Sequence, residues 1–225
     1  MASGGCNNLH YPYDIEQQQP QTGKCQAHES ASEGEVILDA EVNEVGLREY
    51  SEGIDPVNRT TSPTLRRPTA EDGPAVTALI AASAPLDPNS AYCNLLQCSD
   101  FAETCVVAER GGAIVGWISG YRPPSHPERI FVWQVAVAAS ARGEGLGGRM
   151  LDELAARPAV QGATTLTTTI TEANPASWAL FGAFARRHGA SLSKSGRFER
   201  DAHFAGAHDT EWQASIALRP SAPTT

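Results

Sequence analysis

Seven residues, Arg142-Gly143-Glu144-Gly145-Leu146-Gly147-Gly148, constrain this chain more than any other stretch. Before them stands Phe131-Val132-Trp133-Gln134-Val135-Ala136-Val137, an apolar, β-branched and aromatic run that reads as a buried strand. After them comes Arg149-Met150-Leu151-Asp152-Glu153-Leu154-Ala155-Ala156, rich in strong helix formers. The glycines therefore sit where a strand turns into a helix. Free backbone N–H groups and the positive end of a helix dipole converge there, which makes an anion site. Glycine lets the main chain take up positive φ and approach a ligand closely.

Three anions suit such a turn: a nucleoside triphosphate, a dinucleotide, or the pyrophosphate of coenzyme A. A kinase-type loop requires a Lys after its last glycine, and Arg149 follows Gly148 here. A dinucleotide fold expects a repeated βαβ pattern, which the chain lacks. What remains is R-x-x-G-x-G, spelled by Arg142, Gly145 and Gly147.

The chain has 225 residues, enough for one well-formed domain. Its net charge of −9 is unevenly placed. Residues 1–63 hold 11 acids and 3 bases, while residues 64–225 hold 15 and 14. With Gln17-Gln18-Gln19-Pro20 and little apolar periodicity, residues 1–63 read as a disordered acidic extension, with a short helix possible over 36–45. Acidity of this kind disfavours nucleic acid as a partner. No apolar run is long enough to span a membrane, and the N-terminus lacks a basic-then-apolar export signal. Cys6, Cys25, Cys93, Cys98 and Cys105 are odd in number and form no C-x-x-C, so reduced thiols in the cytoplasm are expected. No His/Cys cluster has metal-ligand spacing, and no metal is expected.

The remaining pattern predicts one mixed α/β domain over 64–219, followed by a short tail over 220–225. Leu65-Arg66-Arg67 suits a first strand, and Thr69-Ala70-Glu71-Asp72 opens a helix to residue 82. Residues 83–89 form a loop broken by Pro85 and Pro88, and residues 90–99 a second helix. Strands over 104–109 and 113–121 flank a Gly111-Gly112 hairpin turn. After the glycine turn and its helix come a strand over 164–170, a helix over 175–188 opened by Pro175, and a last strand over 211–218.

The R-x-x-G-x-G turn and this element order resemble the GCN5-related N-acetyltransferase (GNAT) superfamily. That resemblance implies the acyl-CoA N-acyltransferase fold and acetyl-CoA as co-substrate. Further segments narrow it: Leu86-Asp87-Pro88-Asn89-Ser90-Ala91-Tyr92, Tyr121-Arg122-Pro123-Pro124, the Trp133-Gln134-Val135 strand, and Gly206-Ala207-His208-Asp209-Thr210-Glu211. In this order they resemble the L-2,4-diaminobutyrate acetyltransferases of ectoine biosynthesis, over about residues 64–218. The resemblance implies acetyl transfer from acetyl-CoA to the 4-amino group of diaminobutyrate, and a homodimer. It also implies that backbone groups of Val135 and Val137 pair with the pantetheine arm. Residues Gly143, Glu144, Gly145, Leu146, Gly147 and Gly148 would cradle the pyrophosphate, with Arg142 adding charge and Asn174 capping a helix beside the pantetheine. Many relatives carry a proton-donating Tyr where this chain has Phe181. The substrate has two ammonium groups and one carboxylate, so its site calls for acids and a cation. Asp87, Tyr92, Trp133, His208 and Glu211 are the candidates for it, with Glu211 and His208 as the catalytic pair. Two other readings stay open: a GNAT enzyme for another amine or a protein N-terminus, and a non-catalytic acetyl-CoA-binding module.

Overall fold

A computed structural model of the chain describes residues 61–218. The expected acidic extension, save its last three residues, the helix over 36–45 and the tail over 220–225 lie outside the described residues. The described strands are β1 (Thr64–Arg66), β2 (Val106–Arg110), β3 (Ala113–Tyr121), β4 (Arg129–Val137), β5 (Thr165–Thr171), β6 (Leu192–Phe198) and β7 (Glu211–Ala217). The helices are α1 (Gly73–Ala81), α2 (Ala91–Ser99), α3 (Leu146–Ala156), α4 (Pro175–Arg187) and α5 (Arg200–Phe204). The strands form one sheet in the order β1-β2-β3-β4-β5-β7-β6. Only β4 and β5 pair in parallel.

Strand alternation sends side chains to two layers. Val106, Ala108 and Ile118 join Leu146, Met150, Leu151, Leu154, Phe181 and Phe184 of α3 and α4 in the larger core. Val107 and Trp117 join Val76, Leu79 and Ile80 of α1 on the opposite face. Gly116 lets α3 approach the sheet, since a Cβ there would stand 2.9 Å from the Met150 sulfur. At the entry to α1, the Asp72 carboxylate accepts the Thr69 backbone N–H at 2.8 Å and pairs with Arg66 at 2.7 Å. The Ser90 hydroxyl accepts from the Cys93 backbone N–H and starts α2.

The two elements absent from the sequence reading are β6 and α5. Strand β6 is a mostly exposed edge strand, so its Leu-Ser-Lys-Ser-Gly-Arg-Phe run has no apolar alternation to betray it. Helix α5 is five residues long, too short for helical periodicity.

Candidate active site

The register of the central strands opens a cleft. β4 and β5 pair only through Arg129–Phe131 against Thr165–Thr167. Beyond that the strands part, leaving the facing edges of residues 132–137 and 168–171 unpaired with each other. β4 also carries one extra residue against β3. Ser119 pairs with Gln134, whereas Gly120 pairs with Val132, so Trp133 is the bulge. The bulge reverses which face the strand presents. Ile130 and Val132 belong to the core under α3 and α4, while Ala136 belongs to the core under α1. Trp133, expected inside a buried strand, is 47% exposed.

A cavity of about 740 Å³ occupies this gap. Its walls are Trp133, Gln134 and Val135 of β4 and residues 168–171 of β5. The N-terminal part of α4 adds Asn174, Ser177 and Phe181. The loop before α2 contributes Asp87 and Asn89, and α5 with the turn after it contributes Arg200, His208 and Asp209, beside Glu211 of β7. A run of amide and hydroxyl groups fixes the Asp87 loop. Gln134 donates to the Asp87 carbonyl at 2.8 Å and accepts from Asn89 at 2.8 Å. Asn89 also donates to Asn94 at 3.1 Å, and Asn94 donates to Thr77 at 3.0 Å. Gln134 and Asn94 are buried, so this chain of bonds is shielded from water and ties Asp87 to α1, α2 and β4 together.

Glu211 is a half-buried acid of the site, with its side chain 21% exposed. Burial pushes its carboxyl above the ordinary carboxylate range, and the nearby Asp87 charge acts in the same direction. The Thr169 hydroxyl and His208 oppose that rise. One carboxylate oxygen, Oε2, is buried without a hydrogen-bond partner. The other lies 4.0 Å from Nε2 of His208. Nδ1 of His208 lies 2.7 Å from the Asp209 carbonyl, which can only accept, so Nδ1 carries a proton. In the neutral ring Nε2 is then a bare acceptor turned toward Glu211. The His208 ring also packs on Phe204 at a centroid distance of 4.8 Å.

The glycine turn has the strand-to-helix geometry that its sequence predicts. Gly143 and Gly145 have φ of 81° and 72°, and Gly145 caps α3. The spacing of Gly143, Gly145 and Gly148 also satisfies G-x-G-x-x-G. The sheet, with its single parallel pair, is what excludes a dinucleotide fold. The first-turn N–H groups of α3 lie at the turn, and no acid stands in that first turn. The Leu146 side chain is core, so only its backbone is available to a ligand. Gly147 and Gly148 serve close packing on α4: a Cβ would meet Leu180 at 3.3 Å and Arg187 at 3.1 Å respectively. Glu144 is paired with the buried Arg110 of β2. Arg142 is exposed and donates through Nε to the Val137 carbonyl at 3.1 Å, so that carbonyl is already engaged. Val135 lines the cavity and Val137 does not. Asn174 caps α4 by accepting from the Ser177 backbone N–H at 3.0 Å. Phe181 is buried and lines the cavity, with no hydroxyl to offer.

Asp87, Trp133, His208 and Glu211 thus meet in one cavity, although the sequence separates Asp87 from Trp133 by 46 positions and from Glu211 by 124. Tyr92 does not join them. It sits in the first turn of α2, is 69% exposed and lies outside the cavity lining. Sequence reading passed over Arg200 and Thr169. Arg200 carries no local motif, and the Thr-rich β5 reads as an ordinary strand. Burial pushes the Cys105 thiol up to about 12, which leaves it no role as a nucleophile. Cys93, Cys98 and Cys105 are all free. Among the described residues no group of His, Cys, Asp and Glu is arranged to hold a metal, and no helix is long and apolar enough to cross a membrane.

Residues 75–185 match the Acetyltransferase (GNAT) family. The chain is 51% identical to the L-2,4-diaminobutyric acid acetyltransferase of Methylotuvimicrobium alcaliphilum over 153 residues, covering 68% of this chain and 89% of that protein. The chain belongs to the L-2,4-diaminobutyric acid acetyltransferase family. The Vibrio cholerae member is 49% identical over 69% of this chain and 90% of its own length. Among solved structures, the diaminobutyrate acetyltransferase EctA of Paenibacillus lautus, in complex with L-2,4-diaminobutyric acid and coenzyme A, superposes with a TM-score of 0.67. It is 38% identical and covers 70% of this chain and 95% of its own. The fold is therefore the GNAT fold, and the chain is an acyltransferase of this family.

Proposed function

We propose that this protein transfers the acetyl group of acetyl-CoA to the 4-amino group of L-2,4-diaminobutyrate, releasing CoA and N4-acetyl-L-2,4-diaminobutyrate, as a step of ectoine biosynthesis. The observation that carries this reading is the pair Asp87 and Glu211 in one cavity beside the parted edge of β4. Two carboxylates suit a substrate with two ammonium groups. The backbone edge at Val135 offers pairing to the pantetheine arm, and the N–H groups from Gly143 to Gly148 offer a cradle for the pyrophosphate. Asn174 stands at the head of α4 beside that path.

The reacting amine must first lose a proton. An aliphatic ammonium titrates near ~10.4, so freeing it at neutral pH costs about 4 kcal/mol. Glu211 takes that proton. Its raised carboxyl pKa makes it a stronger base than an exposed glutamate. The bare Nε2 of His208, 4.0 Å from Oε1, can take the proton on from Glu211. The free amine then attacks the thioester carbon. A C–N bond forms, the C–S bond breaks, the thiolate leaves with the electron pair, and it takes up the second proton shed by the acylated nitrogen. A thiol ionises near ~8.5, so departure without the tyrosine that Phe181 replaces is chemically accessible. Holding both reactants in line supplies much of the rate. Trp133 presents an aromatic face on which an ammonium can stack.

The finer assignments follow from the same reading. The protein is a homodimer, supported by exposed Phe101 and Trp133 on either side of half-buried Tyr121, each at a ring-centroid distance of 6.4 Å from it. It works in the cytoplasm, in keeping with the three free thiols. The test is direct: incubate protein, acetyl-CoA and diaminobutyrate, follow CoA release with a thiol reagent, and locate the acetyl group by NMR. Acetyl on the 4-nitrogen supports the assignment. No CoA release, or a strong preference for spermidine, refutes it. Sedimentation analysis showing a monomer at micromolar concentration would remove the dimer.

A further inference from the structure

The cavity holds three acids, Asp87, Asp209 and Glu211, and a single arginine or lysine, Arg200. Arg200 opens α5, an element with no counterpart in the sequence reading. Its backbone is clamped from both sides. The Arg200 N–H donates to the Thr210 hydroxyl at 3.1 Å, and its carbonyl accepts the Gly206 N–H at 3.0 Å. These bonds close the turn that carries His208 and runs into Glu211. Arg200 is thereby held in fixed relation to the proposed base. Its guanidinium makes no ion pair or hydrogen bond with any described side chain. Arg197, three residues earlier, is instead engaged by Gln213 at 2.6 Å and by the Phe131 and Phe198 rings. Arg200, exposed and without a side-chain partner among the described residues, lines an otherwise acidic cavity, and a free guanidinium there is matched to a planar anion that it can grip with two parallel N–H bonds.

We propose that Arg200 binds the carboxylate of the substrate and so makes the site select an α-amino acid over the corresponding plain diamine. The proposal rests on the diaminobutyrate reading above. With the carboxylate on Arg200, the two ammonium groups point back toward Asp87 and Glu211. Arg200 then sets which amine reaches the base, because it anchors the end of the molecule opposite the 4-nitrogen.

The test compares L-2,4-diaminobutyrate with 1,3-diaminopropane, which keeps the amine spacing and lacks the carboxylate. Both are assayed with acetyl-CoA on the wild-type protein and on the Arg200→Met and Arg200→Lys variants. Wild type prefers diaminobutyrate. Arg200→Met raises its KM for diaminobutyrate by about tenfold to a hundredfold, the loss expected for a charge-assisted pair. It does not lower the kcat/KM for diaminopropane, which loses a repelling cation and no partner, so the preference collapses. Arg200→Lys recovers part of it. An unchanged preference in Arg200→Met, or an equal loss on both amines, overturns the proposal while leaving the reaction standing. Wild-type protein that acetylates diaminopropane and not diaminobutyrate overturns both.

Discussion

The ion pair between Arg110 and Glu144 offers a measurement of how the glycine turn is held. Arg110 ends β2 with its side chain 2% exposed, while Glu144, inside the turn, is 39% exposed. The contact is two-pronged, with Nη1 3.2 Å from Oε1 and Nη2 closer still to Oε2. At that separation the gross attraction is about 5 kcal/mol for an effective dielectric of about 20, most of it offset by desolvation. The two ends are unequal. Removing the acid strands a buried guanidinium, whose Nε already has no hydrogen-bond partner. Glu144→Gln is therefore expected to cost about 3 kcal/mol, which lowers Tm by about 6–12 °C in a domain of this size. Arg110→Met removes the buried charge itself, and water still reaches the acid, so the cost is about 1 kcal/mol. The double variant replaces the pair with an apolar side chain and a neutral one, and should lie within about 1 kcal/mol of wild type. Its stability loss is then smaller than the sum of the singles by about 3 kcal/mol. Urea unfolding of the four proteins closes the cycle. The donors of the proposed anion cradle are backbone N–H groups, so the double variant should also keep its KM for acetyl-CoA within about fivefold. A Glu144→Gln protein melting within about 2 °C of wild type, or a double variant no more stable than Glu144→Gln, would refute the account of Arg110 as a buried charge dependent on Glu144.

Glu211→Gln separates stability from activity. Its carboxyl titrates above the ordinary range, so below that range both folded and unfolded states are protonated and no penalty exists. As pH rises, the unfolded state ionises first and the folded state loses stability until Glu211 itself ionises. Thermal melts should therefore show Glu211→Gln more stable than wild type near neutral pH, with the gap closing as pH falls into the acid range, while kcat drops sharply. Gly145→Ala meets no steric obstacle, since nothing lies within 4 Å of the added Cβ. The φ of 72° still penalises it, by about 1–2 kcal/mol, so Tm should fall and the KM for acetyl-CoA should rise more than kcat falls.

Local chemistry made some elements easy to read. The β3 span of Ala113–Tyr121 follows from its apolar residues and the Gly111-Gly112 turn before it. The starts of α2 and α4 follow from the caps Ser90 and Asn174. Other features are set by neighbours. β6 exists because β7 offers it hydrogen bonds, whatever its side chains prefer. The exposure of Trp133 comes from a bulge that only the pairing of β3 with β4 reveals. Tyr92 and Arg200 show the same limit from both sides. A sequence neighbour of Asp87 turned out to face away from the cavity, and a residue in no motif turned out to line it.

By itself, then, the sequence determined the anion turn and its place between a strand and a helix, because positive φ, strand propensity and helix propensity are properties of a few adjacent residues. The glycine spacing alone did not decide which anion: it also satisfies the dinucleotide pattern, and the lack of a repeated βαβ pattern, seen in the sheet as a single parallel pair, excludes that ligand. Only the tertiary structure decided which residues gather in the cavity proposed for the acceptor. β4 and β5 share three pairs and then part, and the residues that meet in the opening come from β4, β5, β7, α4, α5 and the connecting loops. Such a meeting is fixed by strand register and packing, which act between segments far apart in the chain and leave no local mark on it.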